Sequence, residues 1–337
     1  MDLFSPIVSL DALHPLTAML MSDRYLAERA LLERWASGMI DRDNKFVIEF
    51  QTTFDSCFWE LYLNAALQEW RLRPDYRFSS PDFVIPGPSP LCIEATVAGP
   101  EANGMKPYGY RLEDLPTDFS EFNRDAALRL TNSFAGKVDR YRDYYSSLDY
   151  CKGLPFVIAI SSLDRPGSHF GGSRPALAAF YGLYYDEAAT PPEAERVVSY
   201  NVAAAIKPSG AHVPVGLFCD DTYSEVSAVI HSSLVTWGKL RALATDSKVD
   251  AVFSTLHPKH GSLLPEVRAT PKAQYHEDLL DGVYVFHNPF AKHPVPSGIL
   301  SHPRITEVTA DPHSGMLFFR SPDDFLLTRT LFSIGTI

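Results

Sequence analysis

Two segments near the start of the chain carry apolar side chains at helical spacing. Residues 22–38 begin with a capping serine and end at Gly38, which predicts a packed N-terminal helix. Residues 53–70 are apolar almost all the way round a helical wheel. We therefore expect a second helix that other parts of the fold cover on most sides.

The stretch PDFVIPGPSPLCIEAT, residues 81–96, predicts a β-hairpin. Two short apolar runs, 82–85 and 91–97, flank the sequence PGPSP, which is too rich in proline to continue either strand. A long loop is expected at 99–123. A helix over 124–147 and a buried strand over 154–164 then follow, so the order is helix, hairpin, helix, strand.

The second half of the chain predicts a further alternation of helices and strands. Apolar runs that are typical of strands occupy 213–219, 226–232, 250–256 and 282–287, and helical patterns occupy 176–185 and 234–245. No linker or internal repeat separates this half from the first. The expected organisation is an N-terminal helical segment (1–45), a core (46–165) and a third part (166–337) that either extends the first sheet or forms a second subdomain.

Composition narrows the class of protein and of partner. With 337 residues, 45% of them hydrophobic, the chain can bury a substantial core. The formal net charge of −11 argues against a broad, sequence-independent nucleic-acid surface, so a nucleic-acid partner must meet a local basic patch. The N-terminus lacks a secretory signal and no long apolar run is present, which predicts a cytoplasmic chain with no membrane partner.

Four cysteines, Cys57, Cys92, Cys151 and Cys219, are widely spaced and form no CxxC pair. Free cysteine is among the most frequently buried residue types. We therefore expect reduced thiols in the core rather than a disulfide framework or a metal site.

The hairpin sets two acidic residues opposite each other. In the symmetric register Ile85 pairs with Leu91, and Asp82 then faces Glu94. Like charges at directly opposed positions destabilise a sheet, unless a carboxylate is protonated or a cation lies between them. Mg²⁺ is commonly held by one or two carboxylates together with water and phosphate oxygens. The alternative is a slipped register in which Asp82 caps the strand and Glu94 faces solvent.

This order of elements, with PD in the hairpin and IEAT in its second strand, resembles the core of the PD-(D/E)XK nuclease superfamily over about residues 50–165. The resemblance implies an α/β fold: a restriction-endonuclease-like mixed β-sheet flanked by helices, with a C-terminal α/β elaboration. It further implies that Asp82 and Glu94 bind Mg²⁺ or Mn²⁺. Glu60, in the preceding helix, corresponds to an assisting acid, although it also fits the polar strip of a mostly buried helix.

One position departs from the superfamily pattern. Thr96 stands where the motif has a lysine, and a hydroxyl cannot supply positive charge. Some superfamily members supply that charge from the following helix. There Lys137 falls within about 40° of the centre of an apolar stripe, at ~100° per residue. Lys137 is therefore the candidate catalytic cation, and the alternative is a lysine that snorkels from the edge of the stripe.

Two functions follow from the resemblance. The first is a divalent-metal-dependent nuclease that hydrolyses phosphodiester bonds, with DNA as the expected substrate and bacterial defence or DNA processing as the expected role. The second is a catalytically inactive nuclease-like fold that binds protein or nucleic acid, which the missing motif lysine and the negative net charge favour. A homodimer is compatible with either function.

Overall fold

A computed structural model describes residues 1–41, 45–101, 103–108, 111–191, 193–207, 210–245 and 251–333. The α-helices in these ranges are α1 (Pro15–Leu20), α2 (Leu26–Trp35), α3 (Phe46–Thr52), α4 (Asp55–Glu69), α5 (Phe119–Asp143), α6 (Arg174–Tyr181) and α7 (Trp237–Leu243). None of the helices described has the length and apolar character needed to cross a membrane.

The strands of the described ranges are β1 (Phe83–Ile85), β2 (Leu91–Ala98), β3 (Phe156–Ser162), β4 (Leu183–Asp186), β5 (Val198–Asn201), β6 (Ala204–Ile206), β7 (His212–Pro214), β8 (Val226–Ser232), β9 (Ala251–His257), β10 (Glu266–Pro271), β11 (Tyr284–His287), β12 (Thr306–Ala310), β13 (Leu317–Arg320) and β14 (Thr328–Ser333).

Seven of these strands form one mixed sheet in the order β1-β2-β3-β8-β11-β12-β13. Strands β2, β3 and β8 are mutually parallel, whereas β1 runs antiparallel to β2 and β11 runs antiparallel to β8. The smaller sheets are β10-β9-β14, β4-β5 and β6-β7. The protein is therefore mixed α/β, and β8, β11, β12 and β13 continue the sheet that begins with the hairpin.

Helices cover both faces of the sheet, and the alternation of side chains along β2 decides which residues meet which helix. Ile93 and Ala95 belong to the core cluster that contains α4, whereas Cys92 and Ala98 belong to the cluster that contains α5 and α6. Because successive side chains of a strand point to opposite faces, Glu94 lies on the α5 side.

Several predicted elements are confirmed. The helix expected over 53–70 is α4, the two hairpin strands are β1 and β2, and the strand expected over 154–164 is β3. The runs at 226–232 and 282–287 are β8 and β11, and the helix expected over 234–245 is the shorter α7. The run at 250–256 is β9, although residue 250 lies outside the described residues.

Other predictions were wrong in extent. The helix expected from 124 begins at Phe119, inside the expected loop, because the Asp118 side chain caps it by accepting from the backbone N–H of Glu121. The helix expected over 176–185 ends at Tyr181, since Gly182 adopts a left-handed conformation (φ +64°) and β4 follows. A Cβ at this glycine would lie 2.6 Å from the Val202 carbonyl oxygen.

Two further predictions were wrong: the strand expected over 213–219 and the burial of all four cysteines. An apolar run can be buried without forming a strand, and a cysteine need not be buried. Of the run 213–219, only residues 213 and 214 lie in a strand, the end of β7 (His212–Pro214), and Leu217 and Phe218 are buried in irregular backbone. Cys57, Cys92 and Cys151 are buried free thiols, as predicted, but Cys219 is exposed.

Candidate active site

The hairpin has the predicted register and brings the two acids together. Ile85 pairs with Leu91 and Phe83 pairs with Ile93, so Asp82, immediately before β1, precedes the first ladder pair. The backbone N–H of Asp82 donates to Glu94 Oε2 at 3.4 Å. Glu94 is only 3% exposed, which excludes the slipped register with this carboxylate in solvent.

The Asp82 side chain links the two strands at the open end of the hairpin. Its Oδ2 accepts a hydrogen bond of 2.7 Å from the backbone N–H of Ala95, on β2. The Asp82 carboxylate therefore accepts a bond that a backbone carbonyl oxygen would accept in a longer β1. The same bond fixes the position of Asp82 beside Glu94.

Helix α5 places a lysine on the acid pair. Lys137 Nζ donates to Glu94 Oε1 at 2.7 Å, and the lysine side chain remains 27% exposed. Its neighbour Val138 is fully buried in the core, so Lys137 lies at the rim of the helix's apolar face. The side chain thus reaches inward from the surface and ends on a buried carboxylate.

Tyr145 is a site residue that the sequence did not reveal. Burial, followed by the charge of Glu94, raises the pKa of this phenol. In the sequence Tyr145 is a member of the apolar stripe of the helix expected over 124–147. Its position in that stripe predicts a core residue and gives no sign of a role for the hydroxyl. In the structure it follows α5 and is buried.

The third acid, Glu60, comes from α4 on the opposite layer. Its side chain is half-buried. Burial, followed by the charges of Asp82 and Glu94, raises its pKa well above the usual range for glutamate. Glu60 therefore belongs electrostatically to the same cluster as the two hairpin acids.

Acidic groups outnumber basic groups in this cluster. Burial, with the charge of Glu94 as the second cause, raises the pKa of Asp82 to about 7. Three carboxyl groups, Glu60, Asp82 and Glu94, are served by one lysine, Lys137. A bound proton or a bound cation relieves such repulsion.

The donor chemistry suits a hard divalent ion. Asp82 and Glu94 offer carboxylate oxygens, the ligand type that Mg²⁺ and Mn²⁺ prefer. Within the described part of the chain, no group of three or more histidine, cysteine, aspartate or glutamate side chains is placed to hold a metal ion. Asp82 and Glu94 match the donor set of sites in which one or two carboxylates hold the ion and water or phosphate oxygens complete its coordination.

Thr96 and the nearby arginines take no part in these contacts. Thr96 lies two positions after Glu94 on β2, on the same face by alternation, and is half-buried. Arg77 is exposed and pairs with Asp75 at 2.6 Å. The exposed Arg73 donates to the carbonyl oxygens of Gln68 and Leu72. The lysine nitrogen beside the acids thus comes from α5 and not from β2.

Fold and site together define a mixed α/β protein in which a lysine of the long helix α5 contacts one of two neighbouring carboxylates of the hairpin. Comparison of the chain with protein-family models, curated proteins and solved structures gave no significant match.

Proposed function

We propose that the protein is a divalent-metal-dependent nuclease that hydrolyses phosphodiester bonds, with DNA as the expected substrate. The observation that carries the proposal is the convergence of Asp82 and Glu94 with the Lys137 nitrogen, 2.7 Å from Glu94. The resemblance to the PD-(D/E)XK superfamily supports it, since helix, hairpin, helix and strand follow in the same order.

Each residue has a distinct role in this proposal. Asp82 and Glu94 would hold Mg²⁺ or Mn²⁺, and a bound ion of this kind activates water and stabilises charge on a phosphate. Lys137 supplies positive charge where the phosphate would gather negative charge, the role that Thr96 cannot fill. Glu60 holds a proton more readily than an ordinary glutamate, because its pKa is raised, and is placed to exchange it near the hairpin acids.

The second candidate is a nuclease-like fold that binds protein or nucleic acid without cutting. One contact favours it: Lys137 already neutralises Glu94 directly. A carboxylate that is paired with a lysine needs no metal for charge balance. The threonine at the motif lysine position and the net charge of −11 point the same way.

A cleavage assay tests the proposal. Plasmid, linear and single-stranded DNA and RNA are incubated with the protein in Mg²⁺ or Mn²⁺. We expect Asp82→Asn, Glu94→Gln and Lys137→Met each to slow cleavage on the order of 100-fold or more, because each removes a charge beside the phosphate. The matched controls are Asp149→Asn and Lys152→Met, which alter an exposed ion pair and should leave the rate unchanged.

The outcomes separate the two candidates. Cleavage that survives both acid substitutions would remove the activity from this site. If no substrate is cut by the parent protein, fluorescence anisotropy with labelled DNA and RNA decides whether it binds nucleic acid. Binding without cleavage supports the inactive module.

A further inference from the structure

One edge of the seven-stranded sheet is open. At the other edge, β1 is met on its outer side by the chain that precedes it, since the Asp75 N–H donates to the Val84 carbonyl oxygen at 2.8 Å. The open edge is β13, which pairs with β12 alone. Among the described residues, no backbone group bonds to the outer side of β13. An edge of this kind can accept another strand.

The open edge carries apolar side chains that lie in solvent. Phe318 is 54% exposed, Phe319 is 49% exposed, and Met316, just before the strand, is 60% exposed. Edge strands of natural proteins are commonly protected from pairing by charges, prolines or bulges. Arg320, at the last position, is the one charged residue of β13, and the strand has no proline. The edge therefore lacks most of the usual protection.

The register with β12 decides which residues of β13 face the open side. The Asp311 N–H donates to the Met316 carbonyl oxygen, and these two residues are opposite each other where the β12–β13 ladder continues. Because backbone groups alternate in direction along an antiparallel strand, Phe318 also directs its N–H and C=O toward β12. Leu317 and Phe319 direct theirs outward. Two donors and two acceptors are thus available at the edge.

These outward groups match those of a second copy of the same strand. When two copies of β13 run antiparallel about a two-fold axis through Phe318, Leu317 of each copy faces Phe319 of the other. All the outward groups of both copies are then hydrogen-bonded, because directly opposed residues of such pairs exchange both bonds. The two Phe318 side chains form the close pair on the axis, with Cβ atoms about 4.5–5.5 Å apart.

Charge is compatible with the same register. Arg320 forms an ion pair with Glu307 of its own copy. Across the axis Arg320 faces Met316 of the second copy, and that Met316 is in turn opposite Asp311. Arg320 therefore has an acid on each side of it along the row of side chains. Like charges, which would destabilise directly opposed positions, do not face each other.

We propose that β13 binds β13 of a second copy of this chain, so that the main sheet continues across a two-fold symmetric dimer. The two half-exposed phenylalanines contribute on the order of 200 Å² per copy, since a buried aromatic side chain covers about 150–250 Å². A standard stable interface buries about 800 Å² per partner. The dimer is therefore weak and reversible. It goes beyond the proposed nuclease function and does not depend on it.

Sedimentation velocity of the full chain at about 1–300 µM tests the proposal. We expect a reversible monomer–dimer equilibrium with Kd of about 1–100 µM. Phe318→Lys should weaken the dimer at least about tenfold, because it sets two like charges against each other on the axis. The control is Leu264→Lys, at an apolar residue that is 76% exposed and lies between β9 and β10. It should leave Kd unchanged.

Disulfide cross-linking tests the register. Phe318→Cys is made in a Cys219→Ser background, which removes the exposed native thiol, and the protein is oxidised with glutathione disulfide. We expect a covalent dimer on a non-reducing gel, because the two new thiols meet on the axis. Phe332→Cys in the same background is the matched control. Phe332 lies on β14 and is 49% exposed, and its variant should stay monomeric on the gel.

The outcomes decide the proposal. It is overturned if the parent protein stays monomeric over the whole concentration range, or if a folded Phe318→Lys variant dimerises as tightly as the parent. It is also overturned if Phe332→Cys cross-links as readily as Phe318→Cys. A monomeric parent that takes up a strand of another protein at β13 would contradict it too, because the occupant would then not be a second copy. If Phe318→Lys fails to fold, the cross-linking result decides.

Discussion

Glu94 shows how a charged side chain is accommodated inside a strand. An isolated buried carboxylate is costly, so it must be paired and hydrogen-bonded. Lys137 Nζ and the N–H of Asp82 supply these partners. The same contacts hold the carboxylate in one orientation, which its proposed role as a metal ligand requires.

Removal of the lysine alone should therefore cost more than removal of the pair. We expect Lys137→Met to lower the free energy of unfolding by about 1–3 kcal/mol, because it leaves Glu94 buried without its cation. Adding Glu94→Gln to this variant should restore part of the loss. Urea denaturation of the two single variants and the double variant measures the coupling. The exposed Lys152→Met is the control, and strictly additive losses would contradict the expectation.

At the scale of elements, α5 connects the core to the site. One side of this helix is anchored by Phe134 and Val138, both fully buried, and its rim carries Lys137. The Phe134 ring packs against Phe180 and Phe218, with centroids 5.9 Å and 5.8 Å away. The position of the lysine over the hairpin thus depends on aromatic packing on the far side of the sheet from α4.

Truncation of the anchor tests this dependence. We expect Phe134→Ala to destabilise the protein by about 3–5 kcal/mol, the usual cost of deleting a buried phenylalanine. Phe119→Ala, in the same helix but 42% exposed, should change stability by less than about 1 kcal/mol. Thermal and urea unfolding measure both variants. Similar losses in the two would show that the α5 core contact is not what stabilises the helix.

The hairpin and the position of Lys137 could be predicted from local sequence patterns. Contacts between residues far apart in the sequence could not. The five-residue connection and the alternation of β2 fix the Asp82–Glu94 register, and a helical wheel locates Lys137. No local pattern reports that Arg329 meets Glu277, 52 positions earlier, or that Arg241 meets Glu28, 213 positions earlier. Buried charges of this kind look like surface residues in a sequence, so these two ion pairs left no signal.

At the scale of the whole molecule, burial keeps histidines neutral in three separate places. Burial is the main cause that lowers the pKa of His14, His169 and His231 to about 4. His231 lies on β8, in the middle of the main sheet, and its Nδ1 is 3.0 Å from the Ile160 carbonyl oxygen. Unfolding exposes these rings, and each then binds a proton near its ordinary pKa of about 6.5.

Stability should consequently fall in mild acid. A group whose pKa is depressed on folding contributes fully above its unfolded pKa and loses that contribution as pH falls toward the folded value. For His231 alone the loss between pH 8 and pH 5 is about 2 kcal/mol. Urea unfolding at the two pH values should show a smaller loss in His231→Gln than in the parent. The exposed His260→Gln should behave like the parent, and equal losses in all three proteins would contradict the assignment.

Asp82 has two separate roles, because its carboxylate accepts the bond from the Ala95 N–H and is also a proposed metal ligand. Closing the hairpin requires only an acceptor at position 82, whereas binding a cation requires its charge. Asparagine, serine or threonine can satisfy the first demand alone. A single change at position 82 could thus remove the proposed metal binding and keep the architecture, whereas an apolar residue there would also lose the bond to Ala95.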